Sequence, residues 1–277
     1  MPPSEGPVRA TVAFHRRIST GYRHLGLCAP GFPGAFQAGQ FVMVRPPWVG
    51  DPFLPRAFSI YRISSSPTVP PADRPGPVVE ILYKVLGKGT QYLSRMEAGQ
   101  EVEVLGPFGN WFTPPPADEL AVLVAGGIGV PPIAALATQI RNSKFEIRNL
   151  DVFLGGKTSE DILCVKDCEE AGATIHIATE DGSLGAKGLI TDLLGPFLIT
   201  DHVSRFTIYT CGPPGMLAAV ARLAAELRIP CQASVEANMA CGFGACMGCA
   251  IEVQGEERQY KLVCKDGPVF DSREIRW

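Results

Sequence analysis

Leu120-Ala121-Val122-Leu123-Val124-Ala125-Gly126-Gly127-Ile128-Gly129-Val130-Pro131 is the stretch on which the fold turns. Its opening residues are apolar without alternation, as in a strand buried on both faces. The glycines then permit a tight turn. Pro131 suits the first turn of a helix, where its missing N–H costs nothing. Further apolar strands read at residues 150–154, 174–178 and 206–210. A helix reads at 159–171, with Ser159 as its N-cap, and Met216, Val220, Leu223 and Leu227 recur at helical spacing. Alternating strand and helix predicts a parallel sheet with helices on both faces, an α/β nucleotide domain over residues 117–230.

Two glycine-bearing turns of that domain carry its chemistry. After the first strand, Gly126, Gly127 and Gly129 let backbone N–H groups approach a pyrophosphate, whose charge the following helix N-terminus favours. The spacing is not G-x-G-x-x-G, and the plainer alternative is a turn that merely packs helix on strand. Thr210-Cys211-Gly212-Pro213 lies at the carboxyl end of a later strand, where such sheets bind ligands. The two glycines and two prolines from Gly212 to Gly215 read as a stiff turn for a nicotinamide or only as a capped helix start. Cys211 beside them reads as a contact or, more commonly for a lone cysteine, as an inert buried thiol. The segment 182–188 reads as a loop near the nucleotide ribose or as plain surface.

Upstream the pattern is different. Residues 8–18, 40–45, 58–63, 78–85 and 100–105 alternate apolar and polar residues between Gly and Pro turns. Short strands with little helix predict an antiparallel β-barrel over residues 1–113. Residues 64–77 read as an exposed loop and 114–116 as a linker. Arg56-Ala57-Phe58-Ser59, Leu82-Tyr83-Lys84 and Gly87-Lys88-Gly89-Thr90 offer a guanidinium fork, an ammonium, hydroxyls and turn N–H groups. On a regular strand Arg56 and Ser59 would face opposite sides.

Downstream, residues 231–277 form a small third unit with four cysteines: Cys241, Cys246, Cys249 and Cys264, in the spacing C-x4-C-x2-C-x14-C. Three thiolates on one loop and a fourth returned by a hairpin match the ligand spacing of a plant-type [2Fe–2S] cluster. Zinc sites pair their ligands as two short knuckles, and only Cys246 and Cys249 make one here. The intervening glycines free backbone N–H groups to turn inward. A nicotinamide exchanges two electrons as hydride, whereas such a cluster takes one. A flavin bridges the two, so the barrel motifs read as an FAD site.

Composition agrees. The 277 residues include nine cysteines, which suits a reducing compartment better than a disulfide scaffold. The net charge of −3 gives no basic footprint for nucleic acid. The longest apolar stretch, 121–137, is broken by glycine and proline and too short to span a membrane. A cytoplasmic protein is expected. Cys28, Cys164, Cys168 and Cys231 read as packing thiols, and the four histidines show no ligand spacing.

Taken in order, Arg56–Ser59, Gly89-Thr90, Gly126–Gly129, Cys211-Gly212-Pro213 and the cysteines resemble the ferredoxin–NADP reductase superfamily. Within it, residues 85–90, 239–249 and 263–270 are most similar to the electron-transfer subunits of B-type dihydroorotate dehydrogenases. The resemblance implies a barrel that contacts FAD through Arg56, Ala57, Phe58, Ser59, Leu82, Tyr83, Lys84, Gly89 and Thr90. It also implies NAD on Gly126, Gly127, Gly129, Cys211, Gly212 and Pro213, with the cluster on the four cysteines. The implied partner is an FMN-containing catalytic subunit that oxidises dihydroorotate in pyrimidine biosynthesis, in a complex with two copies of each chain. No side chain of this chain need act as a catalytic acid or base. Phe58 departs from the superfamily, where tyrosine is common. Electron-transfer subunits of NAD(P)H–ferredoxin oxidoreductases, sulfur reductases and hydrogenases share this layout. A zinc-stabilised binding protein is the reading from another class. NADH is expected over NADPH, with Glu160 and Asp161 set against Lys157 in the segment 155–161.

Overall fold

The computed structural model describes residues 6–45, 54–65, 76–115, 119–143, 150–200, 205–255 and 259–277. Most of the loop expected at 64–77 and the end of the linker at 116 lie outside these residues.

The first unit consists of β1 (Val8–Arg17), β2 (Tyr22–Cys28), β3 (Phe41–Arg45), β4 (Arg56–Ser59), β5 (Arg62–Ser65), β6 (Pro77–Lys84), α1 (Lys88–Leu93) and β7 (Glu101–Phe108). The strands form one antiparallel sheet in the order β4-β3-β7-β1-β2-β6-β5. The single strand expected at 58–63 is therefore two, on opposite edges. Between them Ile60 N–H donates to Gln40 O and Tyr61 N–H to Glu80 O, which draws the two edges together into a barrel. Leu25, Leu27, Val42, Ile60, Val79, Ile81 and Val104 fill its interior. β2, not foreseen, owes its concealment to Gly26, which accommodates the Phe14 ring from β1 and interrupts the apolar alternation.

The second unit is β8 (Leu120–Gly126), α2 (Val130–Asn142), β9 (Leu150–Gly156), α3 (Val165–Glu170), β10 (Thr174–Thr179), β11 (Ala186–Lys187), α4 (Ile190–Thr200), β12 (Phe206–Cys211), α5 (Pro214–Leu227) and β13 (Cys231–Ser234). Its sheet runs β11-β10-β9-β8-β12-β13, all parallel. Two apolar cores cover its faces, one built with α2 and α3 and the other with α4 and α5. The helix expected at 159–171 is shorter. Thr158, not Ser159, caps a 3-10 turn at Ser159–Asp161 by accepting from Glu160 N–H. Cys164 then adopts φ 58° and separates that turn from α3.

The last unit holds β14 (Ala250–Glu252), β15 (Tyr260–Leu262), α6 (Val263–Asp266) and β16 (Val269–Asp271). β14 and β15 form a hairpin, while β16 pairs antiparallel with β13 and extends the nucleotide sheet. The cysteine segment is thus stitched to the second unit by a strand. It is pressed on the first by Met43 and Phe41 of β3, which share a core with Cys249, Leu262, Val263 and Cys264. Among the described residues no helix is long and apolar enough to cross a membrane.

Candidate functional site

A cleft runs between barrel, nucleotide unit and cysteine segment. Its first half is lined by Arg56, Ala57, Phe58, Ser59, Leu82, Tyr83, Lys84 and Thr90 of the barrel. Ile128, Pro131 and Ser234 face them from the second unit, and Glu236 and Met239 from the segment that follows β13. Arg56 and Ser59 therefore look into one cavity, because β4 is only four residues long and ends at Ser59. Gly89 does not line the cavity. It is buried under the Arg56 guanidinium, and a Cβ on it would lie 2.5 Å from Arg56 Nε. Arg56 Nη1 donates to Leu54 O at 2.6 Å, which folds the guanidinium back over the start of α1. The Phe58 ring reaches from the cavity wall into the barrel core, 5.6 Å from the Tyr83 ring at a tilt. Tyr83 in turn has its hydroxyl 3.0 Å from His15 Nε2.

The second half of the cleft is lined by Gly126, Gly127, Ile128, Gly129, Gly212, Pro213 and Met216, with Tyr22, Lys84 and Glu236 opposite. Gly127 opens the 3-10 turn with φ 51°, and Gly129 passes so close to the Cys211 carbonyl that no side chain fits. These N–H groups precede α2, which begins with Pro131 and Pro132. Backbone N–H groups at such a helix start favour an anionic group. Cys211 lies beneath the cavity rather than on its wall. Burial, reinforced by Glu236, pushes its thiol far above the ordinary range, although a hydrogen bond with Ser234 acts the other way. It is an inert thiol in this setting.

Lys84, Leu86, Ile128 and Glu236 belong to both halves, so the two cavities meet at one wall. Glu236 was not singled out in the sequence, where it is one acid in an unpatterned stretch. It opens onto the cleft while protein encloses it elsewhere, and that desolvation raises its carboxyl above the usual carboxylate range. Of the two acids expected at the nucleotide ribose, Glu160 is turned to the barrel, and Asp161, though it lines the nucleotide cavity, is held by barrel donors. Asp161 Oδ1 accepts from Tyr22 and Lys84, and Glu160 Oε1 accepts from Thr20 Oγ1 at 2.8 Å. Lys157 and Glu180 remain at the nucleotide cavity.

The four cysteines come together in two pairs. Cys249 Sγ and Cys264 Sγ are 3.2 Å apart, and Cys264 N–H points at Cys249 Sγ at 3.4 Å. Cys246 N–H donates to Cys241 Sγ at 3.5 Å. Burial opposes ionisation of Cys241, but the N–H groups of Cys246, Phe243 and Ala245 outweigh it and bring the thiol down to about 6. Burial and the neighbouring Cys249 push Cys264 up to about 12. Among the described residues no three donors converge as one ion's cage would need. Two thiol pairs with inward N–H groups suit two irons bridged by sulfide, which take two thiolates each. Ala57 links this segment to the first cavity: it lines that cavity and packs on the core that holds Cys249 and Cys264. Of the remaining cysteines, Cys168 and Cys231 are buried and Cys28 and Cys164 partly so, as packing thiols would be.

Comparison with known proteins agrees with this layout. Residues 236–276 match the family model for the iron-sulfur cluster binding domain of dihydroorotate dehydrogenase B. Residues 123–222 match the oxidoreductase NAD-binding domain. The dihydroorotate dehydrogenase B (NAD(+)) electron transfer subunit of Geobacillus kaustophilus is 37% identical over 272 residues, covering 98% of each chain. That of Desulforamulus reducens is 35% identical over 250 residues, covering 90% of each. Among solved structures, an NADH-dependent reduced ferredoxin–NADP oxidoreductase superposes with a TM-score of 0.81 at 23% identity, covering 99% of this chain and 91% of its own. A ferredoxin reductase of carbazole 1,9a-dioxygenase gives 0.68 at 21% identity, covering 83% and 68%. These two structures share its fold. With near-complete coverage by relatives above a third identity, the chain belongs to the family of dihydroorotate dehydrogenase B electron transfer subunits.

Proposed function

We propose that the chain carries electrons between a dihydroorotate-oxidising catalytic subunit and NAD+, using a [2Fe–2S] cluster and FAD. The observation that carries this is contiguity. Ala57 joins the cysteine core to the first cavity, and Lys84, Leu86, Ile128 and Glu236 join the first cavity to the second. Bound FAD supplies the exchange between hydride and single electrons.

The side chains do the holding. Arg56 and the N–H groups at the start of α1 would meet the flavin's diphosphate. The walls of β4 and β6 would hold its ring system, with Phe58 supplying apolar surface where a tyrosine would add a hydroxyl. Gly126, Gly127 and Gly129 would receive the NAD diphosphate. Gly212 and Pro213 would back the nicotinamide, while Cys211 shapes that turn from below. Cys241 and Cys246 would hold one iron and Cys249 and Cys264 the other. Glu236 brings to the shared wall a carboxyl whose pKa is raised by desolvation, which disfavours a negative charge at the meeting point of hydride donor and acceptor.

The functional units follow residues 1–113, 117–230 and 231–277, with β13 serving the nucleotide sheet. A heterotetramer with two FMN-containing catalytic subunits, located in the cytoplasm, completes the reading. Reconstitution tests it. The chain alone should reduce artificial dyes with NADH yet form no orotate. Adding the catalytic subunit should couple dihydroorotate oxidation to NAD+. Orotate formation by the chain alone, or coupling only to a ferredoxin or sulfur substrate, would contradict the reading.

A further inference from the structure

Where the two cavities meet, barrel and nucleotide unit are tied by one carboxylate. Asp161 Oδ2 accepts from the N–H groups of Lys157 and Thr158, at 3.1 and 3.3 Å, which anchors it to its own loop after β9. Its Oδ1 reaches across to the barrel, where the Tyr22 hydroxyl donates at 2.5 Å and Lys84 Nζ at 3.1 Å. Tyr22 and Lys84 are cross-strand neighbours on β2 and β6, and the Lys84 ammonium sits 4.8 Å from the Tyr22 ring centroid. The donors are therefore held in place before Asp161 arrives. Both oxygens of Asp161 are committed, one to each unit.

The tie has a particular location. Tyr22, Lys84 and Asp161 all line the nucleotide cavity, and Lys84 lines the flavin cavity as well. A Cβ on Gly127 would be 3.7 Å from the Tyr22 hydroxyl, so the tie stands beside the glycine turn. Other polar contacts between the units, Ser19 and Thr20 with Glu160, Arg62 with Asp167, Phe36 and Ala38 with Gln139, and Thr113 with Tyr209 and Gln232, involve no residue that lines either cavity. The Asp161 carboxylate, although partly desolvated, stays below the ordinary carboxylate range because Tyr22 and Lys84 donate to it.

We propose that Asp161 is a positioning residue for hydride exchange: by holding Tyr22 and Lys84 it fixes the separation of the nucleotide unit from the barrel at the wall that flavin and nicotinamide share. Transfer of a hydride, a proton with its electron pair, from the nicotinamide to the flavin ring requires the two rings in contact. A displacement of about 1 Å costs roughly a hundredfold in such reactions. The glycine turn and the Gly212-Pro213 turn bind the nucleotide without Asp161, so affinity depends on it much less than rate. This inference rests on the flavin and nicotinamide reading above, since only such a chain has a transfer distance to set.

The test is anaerobic stopped-flow bleaching of flavin by NADH in the full chain loaded with FAD and cluster. Asp161→Asn is expected to lower the limiting rate at saturating NADH about tenfold or more, with apparent Kd changed less than about threefold and FAD content intact. Tyr22→Phe removes one donor and should lower the rate less, and the double variant should be no slower than Asp161→Asn alone. Asp161→Glu, which keeps the charge, should recover part of the rate. An unchanged limiting rate in Asp161→Asn, or a change confined to Kd, overturns the proposal. Should Asp161→Asn not fold, Tyr22→Phe decides: a lowered limiting rate supports the proposal and an unchanged one overturns it. Wild-type flavin that NADH does not bleach overturns the functional reading itself, and the inference with it.

Discussion

Gly242 rests directly on Met43: a Cβ at Gly242 would lie 2.9 Å from Met43 Sδ and closer still to Cγ. Met43 is fully buried on β3 and pairs in register with Ala57 on β4. One backbone approach therefore docks the loop of Cys241 and Cys246 on the strand pair beside the cavity proposed for the flavin. Gly242 also has φ 84°, in the left-handed region that favours glycine.

Gly242→Ala should consequently loosen this docking. Strain of this kind costs on the order of 1–3 kcal/mol, before the displacement of Met43 is added. A lowered Tm and substoichiometric iron in the purified variant are expected. Unchanged values of both would show that the loop docks elsewhere.

Cys246→Ser should abolish the [2Fe–2S] centre and leave FAD bound. Arg56, Phe58, Tyr83 and Lys84, which line the cavity proposed for the flavin, belong to the barrel, whereas Cys246 is exposed on its own loop. Iron and flavin analysis with a visible spectrum checks this. Normal iron would remove Cys246 from the ligand set.

Preference for NADH should depend on Glu180 rather than on Glu160 or Asp161. The latter two are engaged by Thr20, Tyr22 and Lys84, whereas Glu180 and Lys157 also line the nucleotide cavity. A carboxylate there repels a 2′-phosphate or accepts from a free 2′-hydroxyl. Glu180→Lys should shift the ratio of kcat/KM values toward NADPH by about tenfold, one charge-pair reversal's worth. No shift, alongside a large one in Glu160→Lys, would restore the acid pair as reader.

Glu236→Gln should change the pH dependence of stability. Desolvation raises the folded-state pKa of Glu236 above its unfolded value. Between those two values the folded chain binds more protons than the unfolded one, so stability falls as pH rises through that window. Glutamine removes the titration. The Tm advantage of the variant should be small near pH 5 and larger at pH 8. An advantage that shrinks with rising pH would mean that a cation pairs with the ionised carboxylate.

Much of this was legible because the signals were local. The run from Leu120 to Pro131 reads as strand, turn and helix without tertiary help, and the cysteine spacing names its centre by itself. What stayed hidden depends on contacts distant in sequence. β2 is masked because Gly26 yields space to Phe14, a relation visible only once the strands pair. α4 contains Gly195 and Pro196, which argue against a helix until burial of Leu194 and Leu198 outweighs them. Residues 58–63 carry the right alternation for one strand, but closing the barrel requires Ile60 and Tyr61 to cross from one edge to the other. Asp161 lies where a ribose reader is expected, and nothing local reveals that Tyr22 and Lys84, from distant strands, already hold it. Glu236 gains its importance only from the folding of β13 against the barrel cleft.

The most direct measurement of the central claim is an anaerobic NADH titration of the purified, fully loaded chain, followed by visible absorption and electron paramagnetic resonance. NADH should bleach the flavin bands and then generate the signal of a reduced [2Fe–2S] centre, complete after about 1.5 equivalents, since flavin takes two electrons and cluster one. Bleached flavin with a cluster that is present but never reduced would contradict the continuous path from the nucleotide cavity through the Ala57 wall to the cysteine pairs.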